Sequence, residues 1–275
     1  MVNIDIQTYK WYAWPVEVSG LTVERILQRE AFQPEKYDAM DKLKVGIVGI
    51  SAGAGTGFLT GCLARYLANT GKHSPAVVEL GKGSLFDSFG MDMRFAGRQY
   101  FCFYQALNEN KKIRGMRNMD EGINWILKST EERSIKLSFE QKLRLISHTM
   151  GDVILCDLSG ETDLEHELLL SMDQIIVVID PLPSKMLEGY QALCNLKFLE
   201  TERGDMIYVI NKMNRGVNRR QLLHFLKIRK PVFLPLVNPE CIYTAEYNCK
   251  IPYTVSEVKK ELQISLGEIA AALIF

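Results

Sequence analysis

The chain has 275 residues, of which 47% are hydrophobic and 24% are charged, a composition typical of a globular protein with one large domain. Its 33 basic residues balance 33 acidic residues, so no overall field would hold the whole protein on nucleic acid or on an anionic membrane. The six cysteines form no CxxC pair, which suits a reducing cytosol. No run of eighteen apolar residues occurs, so we expect no integral membrane segment.

Short apolar runs rich in β-branched residues alternate along the chain with longer segments of helical period. The runs predict strands at 44–50, 75–80, 123–127, 152–158, 174–180, 206–211 and 231–237. Apolar stripes at helical spacing predict helices at 58–68, 138–150, 184–200, 219–228 and 254–275. This alternation is typical of an α/β fold with a mostly parallel twisted sheet and helices on both faces.

Residues 1–41 stand outside this alternation. They carry an aromatic cluster made of Tyr9, Trp11, Tyr12 and Trp14. We therefore expect two parts, an N-terminal arm at 1–41 and one α/β domain at 42–275. The arm either contacts a partner or packs against the body of the protein, and both interpretations remain open.

A Gly-rich stretch, ISAGAGTGFLTG at 50–61, joins the first predicted strand to the first predicted helix. Backbone amides in such a turn, together with the helix N-terminus, attract phosphate groups. The stretch contains no lysine, so two interpretations are open: nucleotide or phosphate binding through backbone amides, or an empty tight turn. The candidate nucleotide-binding residues of this loop are Ser51, Ala52, Gly53, Ala54, Gly55, Thr56 and Gly57.

Residues 44–80 resemble the opening of the deviant Walker A ATPases of the ParA and MinD type. That family has a strand, a loop of the form K-G-G-x-G-K-T, a helix that ends in glycine and a second strand that ends in an acid. Here the helix would end at Gly71 and the second strand at Glu79. Further on, GDVILCDLSG places Asp157 at the metal side of a Walker B strand, and YVINKMN places Asn211 at the adenine. The resemblance spans roughly residues 42–270 and implies a P-loop NTPase fold with ATP as the nucleotide.

The loop departs from the family pattern where hydrolysis needs charge. Thr56 stands at the position of the phosphate lysine, and Gly57 stands at that of the magnesium-binding hydroxyl. Ser51 replaces the signature lysine that crosses a dimer interface, and the water-orienting acid falls near Gly81, although Glu79 lies two residues earlier. Because each such group is worth orders of magnitude in rate, the sequence predicts a pseudo-ATPase or a very slow enzyme with no assigned catalytic residue.

Two of the assigned site residues also have structural interpretations. Asp157 is either a metal-side residue or a cap for the turn after its strand. Asn211 is either an adenine contact or a turn residue. Magnesium binding stays open for these reasons, and the scattered histidines show no ligand spacing, so we predict no protein metal site.

A basic stretch at 211–230 contains no acid. We assign a basic patch to Arg215, Arg219, Arg220 and Lys227. Such a patch can hold phosphate backbones without reading sequence, and ParA-like proteins are known for nonspecific DNA binding. The alternative is a solvated helix face beside the acidic segment 161–167, which makes nucleic acid the less favoured partner.

Among family members with an eroded Walker A loop are the CpaE and TadZ proteins, localisation and assembly factors for Flp-type (Tad) pilus machines. Many of them carry a receiver-like domain, for which residues 1–41 have no room. The resemblance implies a cytoplasmic scaffold that binds protein parts of a pilus or secretion machine and reaches the inner membrane only through partners. The alternatives are a ParA-like DNA-partitioning protein and a slow ATP-dependent switch. We expect a constitutive homodimer that is insensitive to ATP, because Ser51 cannot contact the phosphates of a second subunit.

Overall fold

The computed structural model describes residues 42–159, 166–204 and 206–273. The predicted arm, 1–41, and most of the acidic segment at 161–167 lie outside these residues. The strands are β1 (Leu43–Gly49), β2 (Pro75–Glu79), β3 (Met119–Asp120), β4 (Ile123–Ile126), β5 (Val153–Asp157), β6 (Gln174–Ile179), β7 (Ile207–Met213) and β8 (Val232–Pro235).

These strands form one eight-stranded sheet in the order β3-β4-β2-β5-β1-β6-β7-β8. Every neighbouring pair is parallel except β3 and β4, which are antiparallel. The sheet confirms the predicted α/β class, and each of the seven predicted strands overlaps an observed one. The edge strand β3 was not predicted, because it has only two residues and no hydrophobic pattern.

Helices cover the strands and connect them. They are α1 (Thr56–Thr70), α2 (Leu85–Ser88), α3 (Met91–Arg94), α4 (Phe103–Asn108), α5 (Phe139–His148), α6 (His166–Leu170), α7 (Pro183–Glu188), α8 (Tyr190–Arg203), α9 (Arg219–Leu226), α10 (Pro239–Tyr247) and α11 (Ser256–Ala272), with single 3-10 turns at Thr130–Glu132 and Pro252–Thr254.

The sheet is buried on both faces, which explains why its strands lack polar alternation. Alternate residues of β1 point to opposite sides, so Val45 and Ile47 belong to one apolar cluster and Val48 to the other. The first cluster includes apolar residues of α1 and α11, and the second includes residues of α5 and α8. The helix predicted at the C-terminus therefore does cover the core, as its amphipathic pattern indicates.

The helix predicted at 184–200 is divided in two at Gly189. A Cβ atom at Gly189 would lie 2.5 Å from the carbonyl oxygen of Ile50, so only glycine fits between α7 and the end of the first strand. The division brings the end of α7 beside the Gly-rich loop. Helix α1, in contrast, ends at Gly71 as predicted, where φ is +66° and glycine is the favoured residue.

Candidate functional site

The predicted site residues lie together at the carboxyl-terminal end of the sheet, where the central parallel strands end. The Gly-rich loop follows β1, Asp157 ends β5, and Asn211 lies in β7. Strands β5 and β6 flank β1 on either side, and β7 lies beside β6. Ligands of open α/β sheets bind at this end. The sheet therefore places the predicted nucleotide-binding residues at one end, as the resemblance implies.

The Gly-rich loop is a compact turn whose shape depends on glycine. The Ala54 amide donates to the Ser51 carbonyl at 3.3 Å, and α1 begins immediately after the turn. Gly53 and Gly55 have φ angles of +75° and +94°, a region that other residues rarely adopt. A Cβ atom at Gly53 would meet nothing within 4 Å, so the tip of the loop is open on that side.

Asn211, which lies in β7, is hydrogen-bonded to the backbone of this loop. Its side chain is 3% exposed, and its amide nitrogen donates to the Ala54 carbonyl at 2.9 Å. The amide oxygen accepts from the Lys212 backbone at 2.9 Å. A Cβ atom at Gly55 would lie 2.1 Å from the Asn211 amide nitrogen, so the two residues are in close contact. Both polar groups of Asn211 thus have partners in the chain, and one of them is the loop backbone.

Lys212, which the sequence placed only in the basic stretch, also contacts the loop. Its ammonium lies 2.6 Å from the Gly53 carbonyl oxygen and 2.6 Å from Asp180 Oδ2. Lys212 has a φ angle of +56°, a left-handed backbone that turns the chain at the end of the strand. The loop has no lysine of its own, but Lys212 of β7 places a cation beside it. That cation is paired with Asp180, which follows β6.

A carboxylate contacts the same loop from α7. Glu188 Oε1 accepts from the Ala52 amide at 3.2 Å, while Glu188 Oε2 pairs with Lys185 at 2.7 Å. Neither contact was predicted from sequence. The only sequence signal was the charged pair at i, i+3 spacing just before Gly189, which is common on solvated helices.

Asp157 is completely buried at the end of β5. Its two carboxylate oxygens accept from the Ser159 backbone at 3.0 Å and from the Ser159 hydroxyl at 3.1 Å. Burial raises the pKa of Asp157 to about 7, the Ser159 hydrogen bonds oppose that rise, and the charge of Glu79 adds to it. These contacts match the interpretation of Asp157 as a cap for the turn after its strand.

Leu85 fills the space beside Gly57, the position to which the sequence resemblance assigns a magnesium-binding hydroxyl. A Cβ atom at Gly57 would lie 2.5 Å from Leu85 Cδ2 and 3.6 Å from Asp157 Oδ2. Leu85 is 3% exposed and belongs to the apolar core. The described residues therefore do not fit a magnesium ion at that position, because a hydrophobic side chain replaces the hydroxyl ligand. The loop amides that could hold a nucleotide are unaffected by this replacement.

The structure leaves no room for a side chain at Gly81, near which the sequence resemblance would place a water-orienting acid. A Cβ atom there would lie 1.9 Å from the Ser159 carbonyl oxygen. The Gly81 amide donates to the Asp157 carbonyl at 3.0 Å, so the backbone beyond β2 stays paired with the backbone beyond β5. This close approach of two backbones leaves no room for an acid.

The buried carboxylate of Glu79 is hydrogen-bonded to nearby backbone. Its carboxylate accepts from the backbone amides of Ser84, Leu85 and Lys128 at 2.6, 2.7 and 3.0 Å. Burial raises its pKa, and these hydrogen bonds oppose the rise. Glu79 thereby positions the backbone that carries Leu85 toward Gly57.

Thr56 and Ser51 are the two loop positions to which the sequence resemblance assigns lysines. Thr56 is 4% exposed, and a Cβ atom at Gly49 would lie 2.7 Å from the Thr56 hydroxyl oxygen. The Thr56 side chain therefore packs against β1. The Ser51 hydroxyl oxygen is buried and has no hydrogen-bond partner among the described residues.

The basic patch lies on and around α9. Arg215, Arg219, Arg220 and Lys227 are all exposed. The Arg219 guanidinium lies 3.8 Å from the centre of the Phe233 ring, a cation-π contact. Within the described ranges, none of the four forms an ion pair with a carboxylate.

No group of three or more His, Cys, Asp and Glu side chains in the described part of the chain is arranged to hold a metal ion. No helix in that part is both long and apolar enough to cross a membrane.

No protein-family model and no curated protein matches the chain. Solved structures do match. A plasmid partition protein from Borrelia burgdorferi B31 bound to AMPPNP has a TM-score of 0.63 at 18% identity and covers 85% of this chain and 100% of its own. A ParA family ATPase from Chlorobium tepidum TLS has a TM-score of 0.64 at 16% identity, with 82% and 98% covered. The septum site-determining protein MinD from Pyrococcus horikoshii OT3, complexed with Mg-ADP, has a TM-score of 0.63 at 16% identity, with 82% and 95% covered.

These similarities establish the ParA/MinD type of P-loop fold, in agreement with the resemblance drawn from the sequence motifs. At such low identity they establish the fold alone. The function must therefore be argued from the site residues at the carboxyl-terminal end of the sheet.

Proposed function

We propose that this chain is a non-hydrolysing protein of the ParA/MinD fold that acts as a localisation or assembly scaffold. The observation that carries the proposal is the Leu85 side chain beside Gly57, which fills the space of a magnesium ligand with a hydrophobic group. A loop that had merely lost one ligand would leave that space open to water or metal. Here the neighbouring backbone, held by the Glu79 carboxylate, places an apolar side chain in it.

The chemistry of phosphoryl transfer supports this proposal. The reaction depends almost wholly on charge placed around the phosphates, and lysine, magnesium and a water-orienting residue supply it. In this chain Thr56 packs against β1, Gly57 has no hydroxyl, and Gly81 has no room for an acid. Lys212 is the cation beside the loop, but Asp180 already pairs with it. The loop amides remain able to attract an anion such as ATP.

The identity of the partners rests on the resemblance to the CpaE and TadZ proteins. It favours cytoplasmic components of a Tad-type pilus or secretion machine, bound by a homodimer. A fold that no longer relies on catalysis still offers a rigid surface for other proteins. Affinity capture from the native cell, followed by identification of the bound proteins, tests this assignment. Recovery of chromosome or plasmid DNA in place of such components would contradict it.

A turnover assay tests the loss of hydrolysis directly. We expect purified protein with magnesium and ATP to release phosphate no faster than the heat-treated protein. The Asp157→Ala variant is the control, because turnover by a contaminating ATPase would persist in it. Phosphate release at rates usual for an ATPase, abolished in Asp157→Ala, would show that the site is active.

The basic patch favours a second candidate function, nonspecific binding of DNA by a partitioning protein. Four exposed cations on and around α9 have no carboxylate partner among the described residues, so they are available to phosphates. The double variant Arg219→Glu and Arg220→Glu tests this role in a DNA retention assay at two salt concentrations. The matched control is Lys259→Glu with Lys260→Glu, which changes the net charge equally at exposed positions of α11. Salt-sensitive DNA binding that only the first double variant abolishes would favour partitioning.

A further inference from the structure

The carboxylate of Glu188, at the end of α7, is hydrogen-bonded to the Gly-rich loop. Its Oε1 atom accepts the Ala52 amide at 3.2 Å, and its Oε2 atom lies 2.7 Å from the Lys185 ammonium. Both hydrogen bonds favour the ionised acid, so they lower the pKa of Glu188, with Lys185 as the larger cause. The loop therefore has a negative charge on one of its own amides.

Helix α7 holds Glu188 in this place. The helix begins after Asp180, whose Oδ1 atom accepts the Leu182 amide at 3.0 Å. It ends at Gly189, whose Cα approaches the end of the first strand so closely that a Cβ atom would lie 2.5 Å from the Ile50 carbonyl oxygen. Asp180 also pairs with Lys212 of β7, whose ammonium contacts the Gly53 carbonyl oxygen of the loop. Both ends of α7 are thus connected to residues that contact the loop, which places the backbone of Glu188 near Ala52, while the Glu188 side chain itself is half exposed.

We infer that Glu188 is an internal occupant of the Gly-rich loop, an autoinhibitory contact that lowers the affinity of the loop for phosphate anions. The loop amides and the N-terminus of α1 attract negative charge. A fixed carboxylate on the same loop already uses part of that attraction and repels a second anion. Each of the two nearby ammonium groups is paired with a carboxylate, Lys212 with Asp180 and Lys185 with Glu188 itself, so these cations weaken the repulsion but leave no net positive charge beside Ala52. An anion that bonds to the Ala52 amide must then displace Glu188.

The inference is tested by a substitution that removes the charge of the Glu188 side chain but keeps its shape. Glu188→Gln keeps an oxygen that can accept from Ala52 but carries no charge. Calorimetric titration with pyrophosphate in the absence of magnesium should show about a fivefold or larger gain in affinity over the unsubstituted protein at low salt, as expected for two charges several ångströms apart near a protein surface. The gain should shrink as salt is raised. The matched control is Glu246→Gln, an exposed acid on α10 that should leave the affinity unchanged.

A second measurement follows the contact itself. In nuclear magnetic resonance spectra of the full chain, the Ala52 amide signal should move in Glu188→Gln and on addition of pyrophosphate to the unsubstituted protein. Equal affinities for the two proteins, no binding by either, or binding that leaves the Ala52 signal in place would each overturn the inference. The inference deepens the proposed function without depending on the loss of hydrolysis, because a protein that turns over ATP could still show the gain.

Discussion

Glu79 and Asp157 are register partners on the adjacent strands β2 and β5, and both are almost fully buried, at 1% and 0% exposed. Two carboxylates in such a setting are costly to ionise together, because burial disfavours each charge and the two repel. The pKa of Asp157 is raised to about 7, with burial as the main cause, and that of Glu79 is raised as well.

This acid pair predicts that stability falls as the pH rises. The pKa of Asp157 is about 4 in the unfolded chain and about 7 in the folded protein. Between these two pH values, Asp157 is protonated in the folded state and ionised in the unfolded state. Because the folded state binds one proton more than the unfolded state in this window, the free energy of unfolding falls by about 1.4 kcal/mol for each unit of pH increase. Urea unfolding at pH 5 and pH 7 should show this loss, and Asp157→Asn should reduce it. The exposed-acid control Asp92→Asn should retain the slope; an unchanged slope in Asp157→Asn would contradict the prediction.

The contact between Gly57 and Leu85 predicts non-additive effects on stability. Gly57→Ala should destabilise the protein by about 1–3 kcal/mol, because the new methyl group overlaps Leu85 Cδ2. Leu85→Ala alone should cost about 2–5 kcal/mol, since it leaves a cavity. In the Leu85→Ala background the overlap is gone, so the second substitution should cost nothing further or stabilise the helix. Denaturant unfolding of the four proteins measures the coupling, and strictly additive costs would show that the two side chains do not compete for space.

An acid restored at Gly81 should not rescue catalysis and should disrupt folding. Gly81→Asp places a Cβ atom 1.9 Å from the Ser159 carbonyl oxygen, so we expect a loss of about 4 kcal/mol or more in the free energy of unfolding. The neighbouring Lys82→Asp, at an exposed position, is the control and should change stability by about 0.5 kcal/mol or less. Thermal unfolding followed by circular dichroism distinguishes the two. A Gly81→Asp variant as stable as the control would mean that the backbones separate easily there.

Asn211 should matter for the stability of the empty protein. Asn211→Ala leaves the buried Ala54 carbonyl without its 2.9 Å donor, which should cost about 1–3 kcal/mol. Asn195→Ala removes an exposed amide whose side chain bonds, within the described part of the chain, to Gln191, and it should cost about 0.5 kcal/mol or less. Chemical unfolding without nucleotide gives both values. If the Asn211 variant loses stability only when ATP is present, the residue serves the ligand and not the loop.

Dimer formation should not depend on nucleotide. Ser51 carries no cation that could reach phosphates in a second subunit, so the contact through which the resemblance would have ATP link two chains is missing at this position. Light scattering should give the same mass, that of a dimer, with and without ATP over a range of protein concentrations. A monomer that becomes a dimer only with ATP would show that the switch of nucleotide-dependent relatives survives in this chain.

The sheet and the loop could be predicted from sequence because their signals are local. The run KVGIVGI at 44–50 is apolar on both faces, and the glycines that follow mark a turn before a helix of clear period. The contacts of the loop could not be predicted in the same way. Lys212 and Gly53 are 159 residues apart in the chain, and Glu188 and Ala52 are 136 apart. Leu85 reaches Gly57 from a four-residue helix whose position depends on the Glu79 hydrogen bonds.

The edges of the sheet limit how copies of this protein can assemble. One edge strand, β3, has two residues, and the other, β8, has four and ends in Pro235, which has no amide hydrogen to donate. The Ser265 hydroxyl of α11 also donates to the Phe233 carbonyl of β8 at 2.8 Å. Among the described residues, neither edge strand is long enough to offer an extended row of backbone groups to an incoming strand. Larger assemblies should therefore join through helices and loops, so a folded partner can bind and dissociate without extending the sheet into a fibre.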